Sequence, residues 1–216
     1  MHKTRLAGLV SLAAAVTLGT AACGSSSKST GSGSPSAAST TPAVTVAKLT
    51  GKQTAVTLNM DTVKFLKGLG VAVAPEGKAA LTMLPDGAAV AFPITGGNVK
   101  VFAKGAVDPY VQGELDHRGS GLTFSSAKTK VTVTDFVVDP GKSMLTATLA
   151  DKSTPLFLLD GSALTIAPGG GGYMLDGTVV KLLPGAARAL ETAFGAPPKT
   201  IPDFAPIGVA HIIATG

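Results

Sequence analysis

The chain has 216 residues, with 18 lysines and arginines, 13 aspartates and glutamates, one cysteine and no tryptophan. Charged residues make up 14 % of it and aromatics 5 %. The lysines are scattered singly, so the basic stripe of a nucleic-acid-binding module is absent, and one cysteine excludes a disulfide framework within the chain.

Residues 1–22 read as a signal peptide. His2, Lys3 and Arg5 form a basic start, Leu6 to Leu18 an apolar run, and Gly19 to Ala22 a stretch of small residues. The run is shorter than the roughly 20 apolar residues a spanning helix needs; export with removal of this segment is the expectation, and an N-terminal anchor the alternative. Removal takes away Lys3 and Arg5 and lowers the formal charge from +5 to +3. Cys23 follows at once. In an exported chain a lone cysteine means a free thiol, an intermolecular bond or a modified side chain. The segment Ala21-Ala22-Cys23 resembles the lipobox of bacterial lipoproteins, with Thr20 where that family usually has leucine. The resemblance implies a lipidated Cys23 as first mature residue and the outer face of the membrane as partner. Each buried acyl methylene contributes ~0.8 kcal/mol, so several chains on one cysteine hold a protein there. Residues 24–43 are almost all Gly, Ser, Thr, Pro and Ala. They offer no large apolar residue to bury and are expected to form, with Cys23, a tether over 23–43. The folded domain is expected over 44–216.

In that domain β signals dominate. "AVTLNM" alternates before Asp61. "VAFPITGGNVKVF" gives two strands separated by the turn-type cluster Gly96-Gly97-Asn98. "GELDHRGSGLTFSS" reads as a strand, a glycine-rich bend and a second strand. In "KVTVTDFVVDPGKSMLTATLAD" the polar Lys130, Thr132 and Thr134 alternate with Val131, Val133 and Asp135, and Asp139-Pro140-Gly141 makes a turn. "TPLFLLDG", "ALTIAP", "YMLDGTVVKLL" and "GVAHIIAT" complete the set. These total eight to ten short strands, a mainly β antiparallel sandwich or open barrel. Two short helices interrupt it. "MDTVKFLKGLG" has Asp61 as N-cap candidate, Val63, Leu66 and Leu69 near one face, and Gly70 as the stop. "LPGAARALETAFG" starts at Pro184, places Ala187, Leu190 and Phe194 on one side and stops at Gly195. Each is too short to be stable alone, so each is expected to plug an end or edge of the sheet and bury its apolar stripe.

The ordered segments "VTLNMDTVKFLKGLGVAVAPEGKA", "FPITGG", "GELDHRGSGLTF", "VTVTDFVVDP", "LTATL", "PLFLLD", "LLPGAARALETAFG" and "PIGVAHI" resemble a group of secreted actinobacterial proteins over roughly residues 54–213. More distantly the run is similar to the HtaA-type haem-binding domain of actinobacterial surface proteins. There a histidine precedes a glycine-rich bend, as His117 does in "HRGSGL", and a tyrosine from an early segment holds the iron. The matching helix here offers Phe65, which cannot ligate iron, so the resemblance implies the fold more than the ligand set.

The binding candidates are few. His117, between Asp116 and Arg118, reads either as a haem or metal ligand oriented by a carboxylate or as a polar residue at a strand end. His211 shares a strand face with Val209 and Ile213, opposite Ala210, Ile212 and Ala214; it reads as a ligand or as an ordinary strand residue. Tyr110, after Asp108-Pro109, and Tyr173, after the "PGGGG" run, are the only tyrosines. A phenolate can hold ferric haem, and a tyrosine is also a common half-buried sheet residue. Enzyme templates do not fit. Arg118 stands where G-x-S-x-G requires glycine around Ser120, adjacent strand residues point to opposite faces, and no H-E-x-x-H or cysteine pair is present. The glycine run at 168–172 lacks the Lys-Ser/Thr of a phosphate loop and reads as a hairpin turn. The expectation is a lipid-anchored surface protein whose β domain binds a small apolar ligand or an envelope component, without catalysis, no cofactor being required. Haem capture and a hydrolase with an unrecognised site are the alternatives.

Overall fold

The computed structural model describes residues 40–85 and 87–216. Cys23, the signal segment 1–22 and most of the 23–43 tether lie outside the described residues. Among the described residues thirteen strands are present: β1 (Val44–Val46), β2 (Gly51–Leu58), β3 (Ala72–Gly77), β4 (Ala80–Leu84), β5 (Gly87–Pro93), β6 (Gly96–Val101), β7 (Val111–Ser125), β8 (Lys130–Asp139), β9 (Met144–Leu149), β10 (Lys152–Asp160), β11 (Thr165–Gly169), β12 (Gly172–Leu182) and β13 (Pro206–Thr215). Helix α1 (Met60–Gly68) joins β2 to β3, and α2 (Pro184–Phe194) joins β12 to β13. Among the described residues no helix is long and apolar enough to cross a membrane.

All the strands belong to one antiparallel sheet in the order β1-β6-β7-β8-β9-β10-β12-β13-β2-β5-β4, with β11 on β12 and β3 on β7. The sheet curls into a half-barrel. The fold is therefore the open barrel rather than the two-sheet sandwich, and its strands exceed the expected eight to ten. The three additional ones are β1, β3 and β4. The cluster Gly96-Gly97-Asn98 is not a turn but the start of β6; the chain turns at Ile94-Thr95. Nor does "GELDHRGSGLTFSS" split. It belongs to one 15-residue strand, β7, whose ladder with β8 shifts register between His117 and Gly121. Gly119 sits in that bulge at φ +72°, where a side chain would be strained, and its N–H donates to Asp135 Oδ1 at 2.7 Å. That bond holds the Asp135 carboxyl below its ordinary range.

The seam of the half-barrel lies between β5 and β7. No backbone ladder joins these strands among the described residues. The β5–β6 turn spans the seam at one end, since β6 pairs with β7 from Val111 to Asp116. The β3–β4 connection spans it at the other, because β3 pairs with β7 from Ser120 to Ser125 and β4 pairs with β5. The glycine run behaves as a hairpin: Gly170 and Gly171 both have positive φ between β11 and β12.

Both helices cover one end of the barrel, but differently. The cap of α1 is Asn59, not Asp61: Asn59 Oδ1 accepts from the N–H groups of Asp61 and Thr62 at 2.9 and 3.2 Å. Asp61 sits in the first turn, where its charge favours the helix dipole. Gly70, at φ +70°, follows the C-cap Leu69 as expected. Contrary to expectation, α1 buries none of its residues. In α2, Pro184 starts the helix, Gly195 ends it at φ +67°, and Ala186, Ala187 and Glu191 are buried. Glu191 accepts from Ile201 N–H at 2.7 Å and Lys199 N–H at 3.1 Å, and the Arg188 guanidinium lies 3.2 Å from its carboxylate.

Candidate functional site

The alternating inward residues of the sheet do not fill the barrel. Its interior holds three voids in succession along the strands. The upper chamber, under α1, has a volume of about 1010 Å³. Val63, Phe65 and Leu66 of α1 face it, opposite Val90, Phe124 and Ile207 of the sheet. The middle void, at the level of His117, has about 50 Å³. The lower chamber, below it, has about 380 Å³ and is lined by Tyr110, Leu115, Leu164 and Ile212 among others. Leu58, Val90, Leu122 and Ile207 border both the upper and the middle void; Thr54, Val56, Val138 and Val180 border both the middle and the lower one. The two large volumes lie near the lower and upper ends of the range of small-molecule sites, about 300–1,000 Å³.

The upper chamber opens beside β4. That edge strand is exposed along its whole length, and Leu81, Met83 and Leu84 are 45 %, 74 % and 38 % exposed. Leu81 and Met83 also line the chamber. An apolar rim on a mostly apolar cavity suits an apolar molecule, although Asp61 and Lys67 also border the chamber. Neither histidine and neither tyrosine lines this chamber.

His117 is buried at the seam, 2 % exposed. Its Nδ1 is 3.0 Å from the Pro93 carbonyl, which only accepts, so Nδ1 carries the proton. Thr54 Oγ1 then donates to Nε2 at 3.2 Å. Burial is the chief effect on its ionisation and lowers the pKa against the raising effects of Pro93 and Asp116, so the ring is neutral at pH 7. Both nitrogens are engaged within the protein. The other candidates do not join it. Tyr110 donates its hydroxyl to Leu164 O at 3.0 Å beside the lower chamber, its ring faces the Lys104 ammonium at 5.3 Å, and burial raises its pKa, so it is a neutral phenol. His211 lies exposed on the outer face and pairs with Asp176 Oδ1 at 3.0 Å. Tyr173, half-buried, pairs with Ala214 three register positions from that pair. The sequence candidates thus fall at three separate places.

The hydrolase alternative requires a histidine beside a serine or a carboxylate in a cleft. His211 has the carboxylate, but none of the three voids includes it. Ser120 is fully buried in the β7 bulge, and its hydroxyl has no hydrogen-bond partner. Among the described residues no three His, Cys, Asp or Glu side chains converge to hold a metal ion.

Sequence reasoning missed Thr54 and the strands β3 and β4 at the chamber's rim. The signal for these strands was present: alternation in "VAVAPEG" and "ALTML" around Gly77, which takes φ +62°. No protein-family model and no curated protein matches the chain.

Proposed function

We propose that this domain is a non-catalytic carrier or receptor for an extended apolar ligand of the acyl-chain class, held in the upper chamber. The observation that carries this reading is α1. A helix of nine residues has little stability of its own and depends on burying its apolar face. Here that face is only half-buried, with Phe65 against the core, and it borders about 1010 Å³ of space. An acyl chain under Val63, Phe65 and Leu66 supplies the missing apolar contact, at ~0.8 kcal/mol for each methylene buried. The exposed Leu81 and Met83 at the rim suit a ligand drawn from a lipid phase.

The address belongs to the same reading. Export, lipidation of Cys23 and the tether over 23–43 place the domain on the outer face of the membrane. Intact mass measurement of the protein expressed in a lipoprotein-processing bacterium tests this: a chain beginning at Cys23 with acyl mass added is expected, and an unmodified chain contradicts it.

Ligand binding is tested with delipidated protein titrated with cis-parinaric acid. Saturable 1:1 fluorescence enhancement is expected, at least tenfold weaker in Val63→Asp, which places a charge against the bound chain. No enhancement contradicts the reading. Haem, implied by the family resemblance, is the competing occupant. A Soret band on adding haemin, lost in His117→Ala or Tyr110→Phe, would replace the acyl reading.

A further inference from the structure

The middle void separates two chambers that are each large enough for a ligand. Four rings crowd it: Phe92, His117, Phe136 and Phe157. Phe92 and Phe136 meet edge to face with centroids 5.1 Å apart, and the Phe92 and His117 centroids are 6.3 Å apart. What they leave is about 50 Å³, a small fraction of either chamber.

Position along the strands places this layer between the two chambers. On β7, Leu115 lines the lower chamber, His117 the middle void, and Phe124 the upper chamber. On β12 the same order runs Leu175, Val180, Leu182. An apolar ring in such a layer can rotate aside to admit a ligand. The His117 ring is pinned at both nitrogens, from β5 through Pro93 O and from β2 through Thr54 Oγ1. Turning it would break two buried hydrogen bonds, and buried, fully satisfied polar groups rigidify their surroundings. This explains a histidine in an otherwise apolar layer.

Resting on the acyl-chain reading, we infer that the ring layer around His117 measures the ligand: it sets the longest chain the upper chamber accepts and seals the lower chamber from it. His117 is the specificity-determining residue. Truncating it joins the chambers and lengthens the accepted chain.

The experiment is displacement of cis-parinaric acid by saturated fatty acids of increasing length. In the wild type, affinity rises about fourfold per methylene, ~0.8 kcal/mol each, and stops rising at a definite length. In His117→Ala the rise continues for several further methylenes, so the longest acids bind at least tenfold tighter than to the wild type. Phe157→Leu widens the same layer and is the second variant where His117→Ala does not fold; it moves the plateau in the same direction. Thr178→Phe narrows the lower chamber, which Thr178 lines. It leaves the wild-type plateau in place and reduces the gain of His117→Ala. An unchanged plateau in both layer variants overturns the inference while leaving the binding reading intact. A shift of the wild-type plateau by Thr178→Phe alone overturns it too, because the chambers would then already be joined. Absence of displacement by any acid removes the binding reading itself.

Discussion

The two helices cover the same end of the barrel and look alike in sequence, yet they are held in different ways. Helix α2 is seated on the core: Ala187 is fully buried, and Glu191 inside the fold takes the N–H groups of Ile201 and Lys199. Helix α1 has a good cap in Asn59 and an apolar stripe of its own, but the stripe is only half-buried and borders the upper chamber. An apolar stripe says that a helix needs cover. It does not say whether the rest of the chain supplies it. In α2 the chain does; in α1, on the reading above, the ligand does.

The largest expected effect breaks the α2 side of this contrast. Glu191→Ala leaves the N–H groups of Ile201 and Lys199 without their acceptor, while Arg188 keeps Asp203 and the Ile201 carbonyl; each buried donor left unsatisfied costs about 1–3 kcal/mol. Urea unfolding measures it, and a loss below ~1 kcal/mol would mean that α2 is not locked by this group. The seam beneath both helices gives the next effect. His117 is neutral in the folded protein, while in the unfolded chain it takes up a proton below about pH 6.5. The unfolded state then binds the extra proton, so stability is full above that pH and declines as pH falls below it, by at most ~1.4 kcal/mol per pH unit for one group. Denaturation from pH 8 to 5 shows this slope in the wild type, and His117→Gln removes it. Asp135, whose pKa is lowered by the Gly119 N–H, adds a separate loss only as pH falls below 3.8.

On the α1 side, Leu66→Ala costs the ligand-free protein under ~1.5 kcal/mol, against about 2–5 for a fully buried leucine. Saturating cis-parinaric acid widens the gap between variant and wild type, since binding stabilises the better binder more. Equal effects with and without ligand would mean that Leu66 does not touch it. The smallest effect is expected at Lys64, whose 3.9 Å pair with Asp61 is exposed. Lys64→Ala changes stability by less than ~0.5 kcal/mol with or without ligand.

Local chemistry made much of this fold legible. Alternation marked β8 and β13, Gly70, Gly195 and the glycine run marked stops and a turn, and the apolar stripes marked both helices. The misreadings share a cause. "HRGSGL" looks like a break because glycines usually end strands, but in β7 they form a bulge that Asp135, on the paired strand β8, holds in place. Asp61 looked like the cap because it precedes the apolar stripe, while Asn59, two residues earlier, does the capping. The site was less legible. A cavity is volume that side chains leave unfilled, and no residue pattern encodes it. His117 could be singled out as an unusual residue, but its partners Thr54 and Pro93 are brought to it only by the curl of the sheet.

Hydrogen exchange on delipidated protein, with and without saturating cis-parinaric acid, tests the central claim most directly. Amides deep in a structure exchange only through costly opening, and those of weakly held elements exchange with little protection. The account predicts that α2 amides are protected throughout, and that α1 amides exchange rapidly without ligand and become protected when it is added. Protection of α1 equal to that of α2 in the ligand-free protein, or no change in α1 on saturation, would contradict it.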